Sequence, residues 1–281
     1  MPEILAPRAF VVGWPIAHSR SPMIHGYWLA QHGLAGTYER VAVEPDKIDA
    51  FLTGIGKSGF VGGNVTVPHK EAAFRLAERR DAVADTLQAV NTVWLENGKL
   101  CATNTDAAGF IANLDASAPN WDETARTALV LGAGGAARAV IWSLAERGIE
   151  VRLVNRSRPR ADDLAARFKG VRAYDWSDVP HLLGTTDVLV NTTPLGMDGK
   201  DELDLDLSPL SSDALVADIV YAPLITPLLH RARDRGNRIV DGLGMLLHQA
   251  VPGFERWFGV RPEVTPELRA LIVADLIGPK S

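Results

Sequence analysis

Apolar and polar positions along the first hundred residues follow two periods. Short apolar runs, typical of strands, are separated by longer amphipathic stretches, typical of helices. Strands are predicted at Arg8–Val12, Tyr38–Val43, Phe60–Val67, Thr92–Glu96 and Lys99–Thr103. Helices are predicted at Pro22–His32 with Ser21 as N-cap, at Asp46–Ile55, and between Pro68 and about Leu87. Because strands that alternate with helices form βαβ units, the pattern predicts an α/β fold with a mainly parallel sheet.

A polar stretch with a proline, residues 116–123, separates this series from a second one. Further strands are predicted at Thr127–Leu131, Glu150–Val154, Asp187–Asn191, Leu215–Ile219 and Arg238–Val240. Helices are predicted at Gly135–Arg147 and Ala161–Phe168, and the tail from Leu243 onward is helical in pattern. The length of 281 residues favours about two domains, so a boundary between the two series is expected.

The charge balance of the chain argues against a nucleic-acid partner. The formal net charge is −5 and the isoelectric point about 5.8, whereas proteins held by phosphate backbones are usually basic. A single cysteine, Cys101, excludes an internal disulfide and any multi-cysteine metal site. No apolar run approaches the ~20 residues of a membrane span, and we expect no signal peptide. These features predict a cytoplasmic protein that binds neither nucleic acid nor membrane.

Histidines recur at His18, His25 and His32, which could suggest a metal site. Two helical turns separate the last two by ~10.5 Å of axial rise, which is too far for one ion. We therefore predict no metal.

A glycine-rich turn lies between a predicted strand and a predicted helix. The pattern G-x-G-x-x-A falls on Gly132, Gly134 and Ala137. In this context the first glycine allows the tight turn, the second lets backbone amides approach a pyrophosphate, and the alanine keeps the helix close to the strand. The helix N-terminus adds amide donors and partial positive charge. We therefore expect dinucleotide binding rather than a bare turn.

The residues that end the next strand indicate which dinucleotide. NAD-binding folds usually carry Asp or Glu there to hold the ribose 2′-hydroxyl. Here the chain reads Asn155-Arg156-Ser157, followed by Arg158 and Arg160. Guanidinium groups can clamp a 2′-phosphate that a carboxylate would repel. The sequence therefore predicts NADP, although Arg158 alone could be a solvated surface residue.

Polar side chains gather at the ends of the first predicted strands. Ser19 and Ser21 could bind a carboxylate, or Ser21 could simply cap its helix. Further polar side chains at such ends are Asn64, Thr66, Lys70, Asn91 and Asp106. A lone lysine or aspartate there would be read as a surface residue or a helix cap. Ligands of open α/β sheets, however, bind outside the carboxyl ends of the strands, so the repeated pattern favours a binding site.

A set of motifs in a fixed order resembles the shikimate dehydrogenase family. They are GWPIAHSRSP (13–22), GGNVTVPHK (62–70), AVNT (89–92), TNTDAAG (103–109), GAGGAAR (132–138), NRSRPR (155–160), NTTPLGM (191–197), DIVYAPLITPLL (218–229) and GLGMLLHQA (242–250). The resemblance runs from about Arg8 to Gln249. It implies NADPH-dependent reduction of 3-dehydroshikimate to shikimate.

The resemblance also implies residue roles. Ser19 and Ser21 match serines that bind the substrate carboxylate, with Tyr221 nearby. The positions that match binders of ring hydroxyls or carboxylate are Asn64, Thr66, Asn91 and Gln249. Lys70 and Asp106 match the catalytic pair. The cofactor-binding positions are Gly132, Ala133, Gly134, Gly135, Ala136, Asn155, Arg156, Ser157, Arg160, Thr192, Gly242 and Met245.

By the same resemblance the substrate domain is discontinuous. It would comprise residues 1–106 and 243–281, with a Rossmann-type NADP-binding domain over 107–242 between them. The oligomeric state is left open between monomer and homodimer. Gly26 and Gln88 depart from residues common in the family, so the substrate range is less firmly implied than the reaction.

Ketone reduction requires a positioned acid, because negative charge builds on the carbonyl oxygen. We expect Lys70 to supply the proton and Asp106 to orient it. His69 is adjacent but faces another direction on an emerging helix, so we expect it to be structural. Two alternatives stay open: a quinate/shikimate dehydrogenase with broader substrate or cofactor use, and a metabolite-sensing regulator without turnover.

Overall fold

The computed structural model describes residues 6–278. Contacts divide the chain into two compact units. The first unit consists of two segments, the described residues up to Thr105 and Gln249–Ala274. The second unit consists of Asp106–His248 and the described residues from Asp275 onward.

The first unit is built on a six-stranded sheet in the order β2-β1-β3-β5-β6-β4. Its strands are β1 (Arg8–Gly13), β2 (Thr37–Ala42), β3 (Phe60–Val65), β4 (Arg79–Arg80), β5 (Thr92–Glu96) and β6 (Lys99–Thr103). Its first five helices are α1 (Ser21–Gln31), α2 (Ile48–Thr53), α3 (Ile55–Ser58), α4 (Lys70–Leu76) and α5 (Ala82–Leu87). Strands β2, β1 and β3 are parallel, and β5 and β6 form the predicted antiparallel hairpin.

Strand β1 lies inside the sheet, between β2 and β3, and both of its faces are buried. Phe10 and Val12 pack on one side with residues of α2, whereas Ala9 and Val11 join the cluster on the other. Alternate residues of a strand point to opposite faces, so a strand covered on both sides needs apolar residues throughout. The continuous run of apolar residues in β1 is therefore explained by its position inside the sheet, with both faces covered.

The second unit is built on a six-stranded sheet that is parallel throughout, in the order β12-β11-β10-β7-β8-β9. Its strands are β7 (Thr127–Leu131), β8 (Glu150–Val154), β9 (Val171–Tyr174), β10 (Val188–Asn191), β11 (Leu215–Asp218) and β12 (Arg238–Val240). Its helices are α6 (Asp106–Ser117), α7 (Trp121–Thr124), α8 (Gly135–Glu146), α9 (Arg158–Ala165), α10 (Val179–Leu183), α11 (Pro227–Asp234) and α12 (Leu243–Phe258). This order is that of the Rossmann fold, which binds dinucleotides where the strand order reverses.

The division between the units falls inside α12, between His248 and Gln249. Residues Gln249–Ala274 complete the first unit and include most of α13 (Pro266–Ile277). Trp257 donates its indole N–H to Val93 O over 3.0 Å, which fixes the tail to β5. Trp28 of α1 donates in the same way to Glu263 O over 2.9 Å.

The α/β class and the mainly parallel sheets are as predicted, whereas several details differ. The helix predicted at Asp46–Ile55 is two helices, α2 and α3, with Gly54 at the break. Ser21 is the first residue of α1 rather than its N-cap; Arg20 takes that place without a capping bond. The sequence did not predict β4 or β9, because neither strand contains a buried residue and so neither has a clear apolar run.

Candidate active site

A buried network of amide and hydroxyl side chains lies in the first unit, where β3, β5 and β6 meet. Asn91 is its centre. The Nδ2 of Asn91 donates to Thr105 Oγ1 over 3.0 Å and to Gln249 Oε1 over 3.2 Å. Its Oδ1 accepts from Thr92 Oγ1 over 2.9 Å and from the Thr105 amide over 2.8 Å. Asn64, on β3, joins the network through its own donor to Thr92 Oγ1 over 3.1 Å.

Gln249 brings the end of the chain to this network. Besides its side-chain contact with Asn91, its carbonyl accepts from Thr105 Oγ1 over 2.8 Å. Three residues predicted to contact substrate therefore belong to one hydrogen-bonded group, namely Asn64, Asn91 and Gln249. Buried amides in such numbers are adapted to hydroxyl groups, since each side chain offers both donors and acceptors.

Ser19 and Ser21 lie at the start of α1. The amide of Ser21 donates to Ser19 Oγ over 3.3 Å, and Arg40 of β2 donates twice to Ser19 O, over 2.9 and 2.7 Å. These bonds hold the loop that follows β1. Thr66, just after β3, is fixed to β1 by its amide, which donates to Val12 O over 2.9 Å.

Lys70 is the first residue of α4 and is half-buried. Its carbonyl accepts from the amide of Val90 over 3.0 Å, so its backbone is fixed to the residue that precedes Asn91. The neighbouring His69 is 1% exposed, and its Nε2 donates to Val43 O over 2.8 Å. That bond occupies the imidazole and favours the structural role expected for His69.

The glycine turn of the second unit joins β7 to α8. Gly132 has φ +108°, and a methyl group added there would lie 2.7 Å from Thr192 Oγ1. Thr192 in turn donates to Leu131 O over 2.8 Å, so it closes the turn from the side of β10. At Gly134 and Gly135 an added methyl group would meet nothing within 4 Å. The turn is therefore tightly packed at its first glycine and open at the next two.

The N-terminus of α8 is left open to a ligand. Gly134 is its N-cap and provides no side chain to bind the first-turn amides. Ala137 is fully buried, which sets the helix close against the sheet. Such an end attracts anions, because its amides and the helix dipole both present positive charge.

Asn155 connects the glycine turn to the basic residues after β8. Its Oδ1 accepts from the amide of Ala133 over 3.2 Å, and its Nδ2 donates to Ser157 O over 2.9 Å. Arg156 and Arg160 are exposed. Arg158 differs from them, because it pairs with Asp162 and Asp175, each at 2.9 Å. The hydrogen bond to Asp162 contributes most to raising the pKa of Arg158.

The remaining predicted residues lie in the second unit. Asp106 is the first residue of α6 and is buried, and Tyr221 is half-buried in the loop after β11. Gly242 directly precedes α12; a methyl group there would lie 2.3 Å from Ile219 O. Met245 is a buried residue of the first turn of α12.

The part of the chain that the structure describes, residues 6–278, contains no helix both long and apolar enough to span a membrane. In the same residues no group of three or more His, Cys, Asp or Glu side chains could hold a metal ion.

Three family models match the chain in succession. The shikimate dehydrogenase substrate binding domain matches residues 11–93, the shikimate/quinate 5-dehydrogenase model residues 116–196, and the shikimate 5′-dehydrogenase C-terminal domain residues 242–271. Shikimate dehydrogenase (NADP(+)) of Methylobacterium radiotolerans is 60% identical over 281 residues, covering 98% of this chain and 100% of that protein. The protein of the same name from Methylocella silvestris is 57% identical, covering 96% and 97%.

The chain belongs to the shikimate dehydrogenase family.

Solved structures agree with this family assignment. Shikimate 5-dehydrogenase of Thermus thermophilus, in complex with NADP(H) and shikimate, has a TM-score of 0.87 at 35% identity and covers 96% of this chain and 100% of that one. Quinate dehydrogenase from Corynebacterium glutamicum in complex with NAD has a TM-score of 0.88 at 29% identity, covering 96% and 99%. The resemblance and the two-domain α/β fold class expected from the sequence are confirmed.

Several members of the polar networks could not be identified from the sequence pattern. Thr92 and Thr105 lie within the AVNT and TNTDAAG motifs, next to Asn91 and Asp106. Tyr38 alternates with polar residues on β2, yet it is buried and its hydroxyl donates to Asn64 Oδ1 over 2.6 Å. The sequence does contain one signal, a large aromatic residue in a strand that begins with polar residues. Such a ring is often buried, and a buried tyrosine usually has a hydrogen-bond partner.

Asp218, at the end of β11, is a second missed group. It is 2% exposed and accepts from the Val220 amide over 3.0 Å, from Asn191 Nδ2 over 3.1 Å and from Thr226 Oγ1 over 2.8 Å. Burial raises its pKa from 3.8 to about 6, because these three donors only partly replace water. Asp218 thereby connects the end of β10, the loop that carries Tyr221, and the start of α11.

Proposed function

We propose that this chain catalyses the reversible NADPH-dependent reduction of 3-dehydroshikimate to shikimate. The observation that carries the proposal is the buried network of Asn64, Asn91 and Gln249, which suits a ligand rich in hydroxyl groups. Relatives that match nearly the whole chain are named shikimate dehydrogenase (NADP(+)). In this proposal the first unit binds the substrate and the second binds the cofactor.

The cofactor is NADP(H), and the residues present suit it. The open space at Gly134 and Gly135 lets a pyrophosphate approach the amides of α8. Asn155 is held against the turn, and the exposed guanidinium groups of Arg156 and Arg160 would clamp the 2′-phosphate. When bound, NADPH supplies the hydride. Arg158 is committed to Asp162 and Asp175, so we assign it no part in binding.

Ser19, Ser21 and Tyr221 are proposed to bind the substrate carboxylate. The support is chemical, since two hydroxyls at the start of α1 and a phenol are neutral donors to an anion. The ring hydroxyls would be held by Asn64, Thr66, Asn91 and Gln249, of which three already share one network.

Lys70 is proposed as the acid that donates a proton to the ketone oxygen, and as the base in the reverse direction. An ammonium group stabilises the negative charge that builds on this oxygen and delivers a proton to it. Asp106 would orient the ammonium group and accept a hydrogen bond from a neighbouring substrate hydroxyl.

The assay that tests the function is the decay of NADPH absorbance with 3-dehydroshikimate, followed in reverse with shikimate and quinate. We expect turnover with shikimate and a higher kcat/KM for NADP⁺ than for NAD⁺. A preference for quinate, or for NAD⁺, would favour the broader dehydrogenase instead. Binding of shikimate without turnover in either direction would favour a regulator.

We also propose that the protein works in the cytoplasm, as a monomer or a homodimer. A single buried thiol, Cys101, with no second cysteine to pair with, suits a reducing compartment. Cell fractionation tests the location, and light scattering after gel filtration tests the mass in solution.

A further inference from the structure

Tyr38 lies in a buried aromatic cluster of the first unit. Its ring stacks on His25, with the centroids 3.9 Å apart and the planes 10° from parallel, and the Trp257 ring lies 5.9 Å away. His25 is fully buried. Burial lowers the pKa of His25 to about 3, so the ring is a neutral flat surface at physiological pH. The stack holds the phenol ring in one place.

The hydroxyl of Tyr38 has a defined direction. Burial raises the pKa of Tyr38 well above its ordinary value, so the phenol keeps its proton. A hydrogen bond with Ser21 acts in the opposite direction and lowers the pKa of the phenol, but burial has the larger effect. The single phenolic hydrogen is given to Asn64 Oδ1 over 2.6 Å.

The hydrogen-bonding capacity of Asn64 is almost fully used inside the protein. An amide side chain has two N–H donors and two oxygen lone pairs. The Nδ2 of Asn64 donates to Asn91 O and to Thr92 Oγ1, each over 3.1 Å. One lone pair of Oδ1 is taken by Tyr38. Both donors are therefore used inside the protein, and any further hydrogen bond to this side chain must be accepted by Oδ1.

We propose that Tyr38 is a positioning residue that fixes Asn64 as a pure hydrogen-bond acceptor, so that Asn64 selects a substrate carrying a hydroxyl donor at the facing ring position. This inference rests on the proposed function, because the hydroxyl is one of the shikimate ring hydroxyls that do not react. If the side-chain amide of Asn64 were flipped, its Oδ1 would face the carbonyl oxygen of Asn91, and two acceptors repel each other. The hydrogen bond from Tyr38 to Oδ1 further disfavours the flipped amide.

The first test is Tyr38→Phe, which keeps the stacked ring and removes only the hydroxyl. Loss of one neutral hydrogen bond predicts an increase of about 5- to 10-fold in KM for shikimate. The kcat and the KM for NADP⁺ should change by less than about twofold, because the bond acts in substrate binding. The matched control is Tyr27→Phe on α1, half-buried in the same unit, which should change none of these.

The second test separates positioning from a merely structural role. In an Asn64→Ala background, Tyr38→Phe should produce no further increase in KM. The same comparison uses shikimate analogues that each lack one non-reacting ring hydroxyl. For one of these analogues, wild type and Tyr38→Phe should have the same KM. The fluorinated analogue at that same position should bind as weakly as the deoxy one, since fluorine cannot donate a hydrogen bond.

An unchanged KM in Tyr38→Phe with an active wild type would overturn the inference alone. The inference would also be overturned if Tyr38→Phe raised KM equally for every analogue, or if it raised KM as much in the Asn64→Ala background as in wild type. No turnover in the wild type would overturn the proposed function, and this inference with it.

Discussion

The buried polar side chains around Asn91 and Asp218 are held by hydrogen bonds to other buried groups. Asn91 makes hydrogen bonds to Thr92, Thr105 and Gln249, and Asp218 accepts three more in the other unit. A buried polar group without its partner costs about 1–3 kcal/mol, so each member constrains the next. Substitutions in these networks should therefore affect geometry as well as contact with ligand.

Lys70→Ala should reduce kcat by about 10²–10⁴-fold, the usual contribution of general acid–base catalysis. Thermal unfolding should change little, because Lys70 is half-buried and its backbone bond from Val90 does not need the side chain. Steady-state rates with 3-dehydroshikimate and NADPH provide the measurement. Lys57→Ala, at an exposed position of α3, is the matched control. Near-normal turnover in Lys70→Ala would refute its role as the acid.

Asp218 should make the folded state less stable as the pH rises. Its carboxyl binds a proton more tightly in the folded protein than in the unfolded chain, since its pKa is raised from 3.8 to about 6. The corresponding stabilisation is fully present below pH 3.8 and is lost as the pH rises through about 6. That difference corresponds to about 3 kcal/mol at most. Asp218→Asn, which cannot ionise, should gain stability relative to wild type over this range.

Urea unfolding of both proteins between about pH 4.5 and 7.5 measures this effect. The control is Asp234→Asn, an exposed position near the end of α11. A difference in free energy of unfolding between wild type and Asp218→Asn that does not vary with pH would contradict the assignment.

The helices and strands show which features a sequence pattern can predict. The bounds of β5, β6, β7, β8 and β12 are those predicted, because each has clear alternation or a continuous apolar run. The edge strand β4 has two exposed arginines and no such signal. Helix α9 begins at Arg158 rather than Ala161, since Pro159 fits the first turn of a helix.

The candidate site could be predicted from the sequence less completely than the fold. Asn91 and Gln249 are 158 positions apart, and no local period relates them. Only the resemblance to a family placed both at one substrate. The roles of Tyr38 and Asp218 could not be predicted, because both depend on tertiary hydrogen bonds, which produce no periodic pattern in the sequence.

The β7–α8 turn offers a paired prediction. Gly132→Ala should lower stability by about 1–3 kcal/mol, because its φ of +108° strains a side chain and the methyl group would meet Thr192. Gly134→Ala should leave stability within about 0.5 kcal/mol, since its methyl group meets nothing within 4 Å. It should nevertheless weaken NADP⁺ binding by about 10- to 100-fold, because the methyl group occupies the space of the pyrophosphate contacts.

Calorimetric titration with NADP⁺ and urea unfolding together separate the two effects. Each variant is the control for the other. Equal NADP⁺ affinity in Gly134→Ala and wild type would show that the pyrophosphate does not lie on this turn.

At the scale of the whole molecule, the first unit depends on a distant part of the chain. Phe254 lies 5.4 Å from the ring of Trp28, and Trp257 lies 5.6 Å from His25. Trp28 and His25 are fully buried. Residues 249–274 therefore complete the core that residues 6–105 begin.

A fragment of residues 1–105 should not fold alone, because the aromatic cluster around Trp28 would be open to water. A peptide of residues 249–278 added in trans should restore near-ultraviolet circular dichroism and a cooperative unfolding transition. The same peptide with Trp257→Ala should restore much less, since it lacks the ring and the bond to Val93. Cooperative unfolding of the fragment by itself would contradict this dependence.

The passage of α12 from one unit to the other has a consequence for synthesis on the ribosome. Translation proceeds from the N-terminus, and domains generally fold as units once their residues have emerged. The second unit is nearly continuous, so its sheet is complete before Gln249 leaves the exit tunnel. The first unit begins before the second along the chain but must wait for residues 249–274, which follow it. A ribosome that stalls before Gln249 would thus leave the segment up to Thr105 unfolded and exposed to chaperones and proteases.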